Sequence, residues 1–138
     1  KHSPIQGGFS TGEPWIKKST SANLKNAKSL AIDGNIYVLK NNGQIEKFFT
    51  GEREKFNVSG VSPKLSNPTE IWTYRDVDNI YVLEPTKKRV VILNKEGKMI
   101  KQLKGKEWSN PTNMIIEEKK NTGYVIDNGK IYKFSLKL

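Results

Sequence analysis

Within residues 67–98 three runs decide the fold: Asn67-Pro68-Thr69-Glu70-Ile71, Asp78-Asn79-Ile80-Tyr81-Val82-Leu83-Glu84, and Lys88-Arg89-Val90-Val91-Ile92-Leu93 followed by Asn94-Lys95-Glu96-Gly97-Lys98. Ile80–Leu83 and Val90–Leu93 are apolar at consecutive positions. Successive side chains of a strand point to opposite faces, so these strands are apolar on both faces and need cover on two sides. A two-sheet sandwich leaves one face of each sheet in water and would alternate apolar with polar residues. A sandwich or small barrel is kept as the alternative, but the pattern favours sheets stacked between neighbouring sheets.

The unit repeats. Asn67-Pro68-Thr69-Glu70-Ile71 returns as Asn110-Pro111-Thr112-Asn113-Met114 at a shift of 43, and Tyr81 returns as Tyr124 at the same shift. Ile36-Tyr37-Val38-Leu39 precedes Ile80–Leu83 by 44 residues, and Asn26-Ala27-Lys28-Ser29-Leu30 takes the place of the Asn-Pro-Thr segment at a shift of 41. A period in the low forties with several short antiparallel strands per unit is the signature of a β-propeller blade. Asp33-Gly34, Asn42-Gly43, Glu96-Gly97 and Asn128-Gly129 fall between apolar runs. Asn-Gly and Asp-Gly tolerate the positive φ of two-residue hairpin loops. No long stretch has a helical period.

The sequence therefore predicts an all-β chain of about three blades of antiparallel strands, half of a six-bladed ring. Residues 1–25 form an irregular lead-in, 26–66 blade 1, 67–109 blade 2 and 110–138 an incomplete blade 3. In the lead-in, Trp15 and Ile16 are a lone apolar patch, so the stretch from Pro14 to Lys17 is expected to dock on the domain as an extra strand. The first residue is Lys, which reads as a processed or cut product of something longer, or an expressed piece of it. Closed propellers have about 4–8 blades. Three would leave apolar sheet faces bare at both ends, so either a second copy completing a six-bladed homodimer ring or the rest of a longer parent chain is expected to cover them. Tyr37, Tyr81 and Tyr124, equivalent in the three units, are expected in the interblade core.

The middle unit resembles an NHL repeat. That family reads Asn-Pro, a short apolar strand, Gly or Asn before Ile-Tyr-Val, an acidic residue, an Asn-His-Arg segment before a β run, and an Asp-Gly turn. Here Lys87-Lys88-Arg89 stands in place of Asn-His-Arg, unit one lacks the Arg segment, and unit three ends soon after its third strand. The resemblance implies a binding or scaffold module, in bacteria often at the end of a larger and sometimes membrane-anchored signalling protein, which makes an extracytoplasmic place an expectation. Some NHL-like propellers are lyases with metal-bound histidines, and those ligands have no counterparts in this chain.

Chemistry is constrained by composition. The 138 residues contain no Cys and one His, His2, which excludes disulfides, cysteine nucleophiles and multi-histidine metal sites. Neither Walker nor dinucleotide glycine motifs nor a G-x-S-x-G elbow is present. The expectation is a non-enzyme with no cofactor and no metal. Glu117-Glu118 and Asp76/Asp78 read as solvated turn charges, and no apolar run reaches the ~18 residues of a membrane span, so insertion is not expected.

Charge is the sharpest remaining feature. There are 24 Lys+Arg against 14 Asp+Glu, a formal +10. Lys87, Lys88, Arg89, Lys98, Lys101, Lys104 and Lys106 cluster in the middle unit and its exit, next to Trp108 in the connection to unit three. They are the candidate partner surface. A polyanion, single-stranded RNA (which some NHL propellers bind through a basic face) or an anionic glycan, is the alternative ligand to a protein. The rival reading is a solvated lysine surface, with Trp108 stapling one blade to the next and Arg89 paired with Glu84 inside its blade.

Overall fold

The computed structural model describes residues 4–5, 8–9, 12–17 and 24–138. His2 and part of the expected lead-in lie outside them. The strands are β1 (Pro4–Ile5), β2 (Gly8–Phe9), β3 (Ala27–Ile32), β4 (Ile36–Lys40), β5 (Ile45–Phe49), β6 (Glu52–Glu54), β7 (Glu70–Trp72), β8 (Asn79–Glu84), β9 (Arg89–Asn94), β10 (Met99–Lys104), β11 (Pro111–Glu117), β12 (Thr122–Asp127) and β13 (Lys130–Ser135). Two single 3-10 turns, at Pro85–Lys87 and Glu118–Lys120, are the helical elements among the described residues.

Three antiparallel sheets each follow chain order: β3-β4-β5-β6, β7-β8-β9-β10 and β11-β12-β13. They are blades 1, 2 and 3, the last with three strands among the described residues. β1 and β2 pair as a separate two-stranded hairpin. Two described hairpin loops have just two residues, Thr50-Gly51 with φ of 49° and 82° and Asn128-Gly129 with φ of 52° and 78°. Both central residues of each are left-handed, as a type I′ hairpin loop needs to match strand twist.

The doubly apolar strands of blade 2 are what join the arc. Ile80 and Val82 of β8, with Val91 and Leu93 of β9, pack against Ala31, Tyr37, Leu39 and Ile45 of blade 1. Tyr81 and Leu83, with Val90 and Ile92, face the other way onto Met114, Ile116 and Val125 of blade 3. Alternation along each strand thus feeds two cores at once. Blade 2 is covered on both faces, unlike a sheet of a sandwich, which keeps one wet face.

The connections into blades 2 and 3 are each fastened by a carboxylate. Glu84, closing β8, accepts the Ser66 and Asn67 N–H groups at 2.7 and 2.9 Å. Asp127, closing β12, accepts those of Ser109 and Asn110 at 2.7 and 2.8 Å. In both blades the carboxylate follows the bonded serine by 18 residues. Blade 1 has Lys40 at the corresponding place, and there the Asn26 amide bonds Asn41 Oδ1 at 3.2 Å instead. Glu84 also holds Arg89, whose Nε and Nη2 donate to Oε1 at 2.9 and 2.7 Å.

Residues 12–17 of the lead-in lie against blade 1, without forming a strand. Trp15 stands edge-on to Phe48 with ring centroids 6.3 Å apart, and Lys17 N–H donates to Gly51 O at 2.9 Å.

Candidate interaction surface

The inner strands β3, β7 and β11 lie side by side and are tied by a repeated bond. Ser29 Oγ accepts the Ile71 N–H at 3.1 Å, and Glu70 Oε1 accepts the Met114 N–H at 2.6 Å. Ser29, Glu70 and Asn113 occupy one position in successive blades. Each of the first two reaches the backbone one residue beyond that position in the next blade. Burial pushes the Glu70 carboxyl above its ordinary value, and the Met114 N–H offsets only part of that. A raised carboxyl means the native state favours the proton. The stability that proton confers is complete below the ordinary value of 4.5 and is lost as pH rises through the raised one. Glu70→Gln keeps an acceptor for Met114 and removes the charge. It is expected to melt higher than wild type at pH 7, with the difference shrinking toward pH 4, in thermal unfolding followed by circular dichroism.

Tyr81 and Asp78 are clipped to the next blade by a residue that the sequence reads as a solvated turn charge. Glu118 accepts the Asp78 N–H through Oε1 and the Tyr81 hydroxyl through Oε2, both at 2.7 Å. The Tyr37 hydroxyl bonds Asp33 at 3.1 Å, and Asp33 is paired with Lys95 of blade 2.

The third tyrosine departs from the pattern. Tyr124 is only half buried, because the face it occupies has no blade over it among the described residues. That face matches, position for position, the face of blade 1 that blade 2 covers. On blade 1, Ala31, Tyr37 and Lys47 line up across the strands beside the pair Leu39 and Ile45. On blade 3 the same places hold Ile115, Tyr124 and Lys133 beside Ile126 and Ile131. Ala31, Leu39 and Ile45 are 8%, 0% and 5% exposed, whereas Ile115, Ile126 and Ile131 are 61%, 43% and 72% exposed. At the other end of the arc, Leu30 and Ile32 stand open on the opposite face of blade 1 at 66% and 55%, while Phe48 on that face lies buried beneath Trp15.

The lysine-rich candidate surface breaks up in three dimensions. Arg89 does not belong to any surface: it is wholly buried, and beyond Glu84 its guanidinium donates to Pro63 O at 2.6 Å and Gln102 Oε1 at 2.9 Å. Trp108 is also buried, edge-on to Phe134 at 5.6 Å, so it is a staple between blades 2 and 3. Lys87 is half buried and donates to Ser66 Oγ and to Glu84, and Lys101 donates to Lys137 O. Lys88, Lys98, Lys104 and Lys106 remain exposed. A separate polar cleft of about 600 Å³ between blades 1 and 2 is lined by Asp33, Tyr37, Lys47, Arg75, Asp78 and Lys95 among others, and its Asp33–Lys95 pair is satisfied internally.

No family model matches this chain, and no curated protein matches it. Solved structures do. One is the nidogen/laminin complex, with a TM-score of 0.62 at 15% identity over 80% of this chain and 44% of that one. Another is BamB from Moraxella catarrhalis, with a TM-score of 0.56 at 20% identity over 75% of this chain and 29% of that one. The chain spans less than half the length of either. Both are propellers, and with three antiparallel blades in an arc this chain is a partial β-propeller. The likeness is to propellers in general and does not single out the NHL variety. No helix among the described residues is long and apolar enough to cross a membrane.

Proposed function

We propose that this chain is a non-enzymatic, NHL-like propeller segment that works as a protein-interaction and scaffold module, its open blade faces taken by a second copy or by further blades of a longer parent chain. The observation that carries the reading is the uncovered face of blade 3. Ile115, Tyr124, Ile126 and Ile131 form one contiguous apolar patch in the register that elsewhere is buried between blades. Exposed apolar patches of this kind mark association surfaces. Another protein is favoured over a polyanion because the exposed lysines are separated by buried Arg89 and Trp108.

Two measurements test this. Sedimentation across micromolar concentrations is expected to give a mass above 15.7 kDa, and a well-behaved monomer throughout counts against the reading. Fluorescence anisotropy with labelled RNA and heparin is expected to show only weak binding that disappears as salt rises to ~0.15 M. Saturable binding that survives that salt, and weakens in Lys104→Glu/Lys106→Glu, would promote the polyanion reading instead.

A further inference from the structure

Building on the proposal that the open faces are association surfaces, we infer that two copies close one ring, and that strand β2 of each pairs with β13 of the other, the strand at the outer edge of blade 3 among the described residues. Blades 1 and 2 have four strands and blade 3 has three among the described residues. The lead-in is built like the linker that enters blade 2. Lys17 N–H donates to Gly51 O at 2.9 Å, just as Ser59 N–H donates to Gly97 O at 2.9 Å. Gly51 and Gly97 each lie in the turn between the third and fourth strands of their blades. Residues 12–17 therefore cross blade 1 as residues 55–66 cross blade 2.

The linker that enters blade 2 leaves from β6, the outer strand of the preceding blade. β2 stands in that place ahead of residues 12–17. Its pairing agrees: Pro4↔Phe9 and Ile5↔Gly8 repeat Phe48↔Arg53 and Phe49↔Glu52 of the β5–β6 hairpin at a shift of 44. The lead-in thus carries the outer edge of a blade preceding blade 1. In a ring of two copies that preceding blade is blade 3 of the other copy, the one with three strands among the described residues. β2 then exchanges its two-residue partner β1 for the six-residue β13.

The inner strands continue across the same junction. Ser29 binds Ile71 N–H and Glu70 binds Met114 N–H. The next member of the series is Asn113 Oδ1, and the position awaiting it is Leu30 of the second copy. The exposed Ile115 and Ile131 of one copy then meet the face bearing the exposed Leu30 and Ile32 of the other. Rotation by half a turn about the ring axis makes both junctions at once, so the assembly closes rather than polymerises.

The chain contains no cysteine, so disulfide trapping is clean. The full-length Leu30→Cys/Asn113→Cys variant is expected to oxidise to a covalent dimer in high yield, while neither single variant does. Deletion of residues 1–11 is expected to weaken dimerisation by about tenfold or more in sedimentation equilibrium, with the far-ultraviolet spectrum of blades 1–3 retained. A mass of two copies without the disulfide overturns the junction. A dimer of full strength after the deletion overturns the strand exchange. Either result leaves the association reading standing, whereas a monomer at every concentration overturns both.

Discussion

Arg89→Met is expected to lower the free energy of unfolding by about 3–5 kcal/mol in urea denaturation, the scale for removing one partner of a buried ion pair. Most of the cost comes from what is left behind. Glu84 is fully buried, and without Arg89 its charge keeps the Ser66 and Asn67 N–H groups, the Ser66 hydroxyl and the half-buried Lys87. Pro63 O and Gln102 Oε1 lose their donor as well, so the linker into blade 2 and the outer strand β10 are both loosened. Burial pushes the Glu84 carboxyl up, but the Asn67 and Ser66 N–H groups together with Arg89 outweigh it, and the net displacement is downward. A lowered carboxyl contributes stability that is present above its ordinary value and is lost as pH falls through the lowered one. Wild type should therefore lose stability in acid below the ordinary value of 4.5. The gap between wild type and Arg89→Met should be widest near neutrality and narrow as Glu84 protonates. A difference under about 1 kcal/mol at pH 7 would mean that the guanidinium is dispensable.

How much of this was legible in the sequence depended on whether a residue's role is set by local pattern or by a partner far along the chain. The blades were legible because hairpin turns and consecutive apolar residues are local signals. Strands such as Ile80–Leu83 announce two buried faces without reference to anything else. Tyr124 is less buried than its pattern predicts because its equivalence to Tyr37 and Tyr81 is a fact of register, while its burial depends on what covers that face. Glu118 reads as a solvated charge in the sequence because its partners, Asp78 N–H and the Tyr81 hydroxyl, lie 40 and 37 residues upstream. A signal did exist for Asp127: the Ser-Asn-Pro at 66–68 returns at 109–111, and each is followed at one spacing by an acidic residue. Spacing of that kind is the mark of a repeated side-chain clasp. Arg89 leaves the lysine-rich cluster for a different reason. Neighbours in sequence on a strand point to opposite faces, and the one arginine among them was recruited inward by a carboxylate five residues away.

Trp108→Ala is expected to cost about 3–5 kcal/mol, as truncation of a large buried aromatic does. Lys104→Ala and Lys106→Ala, on either side of Gly105, should stay within about 0.5 kcal/mol of wild type. That contrast separates a staple from a recognition residue. A tryptophan held ready for a partner would lose binding on truncation and leave unfolding untouched. The indole lies directly over Gly105, where a Cβ would fall 2.0 Å from Trp108 Cδ2, and its edge meets the Phe134 ring. Gly105→Ala alone should therefore cost about 1–3 kcal/mol or more, since ring and backbone cannot both keep their places. In the Trp108→Ala background the same methyl enters the space the indole has left, and its cost should fall close to zero. The two substitutions are thus predicted to be strongly non-additive, with the double variant hardly worse than Trp108→Ala by itself. Equal costs for Gly105→Ala in the two backgrounds would show that Trp108 does not occupy the space above the glycine. The junction between blades 2 and 3 would then be held by the packing of Tyr81, Leu83, Val90 and Ile92 on Met114, Ile116 and Val125, with Glu118 and the Glu70–Met114 bond.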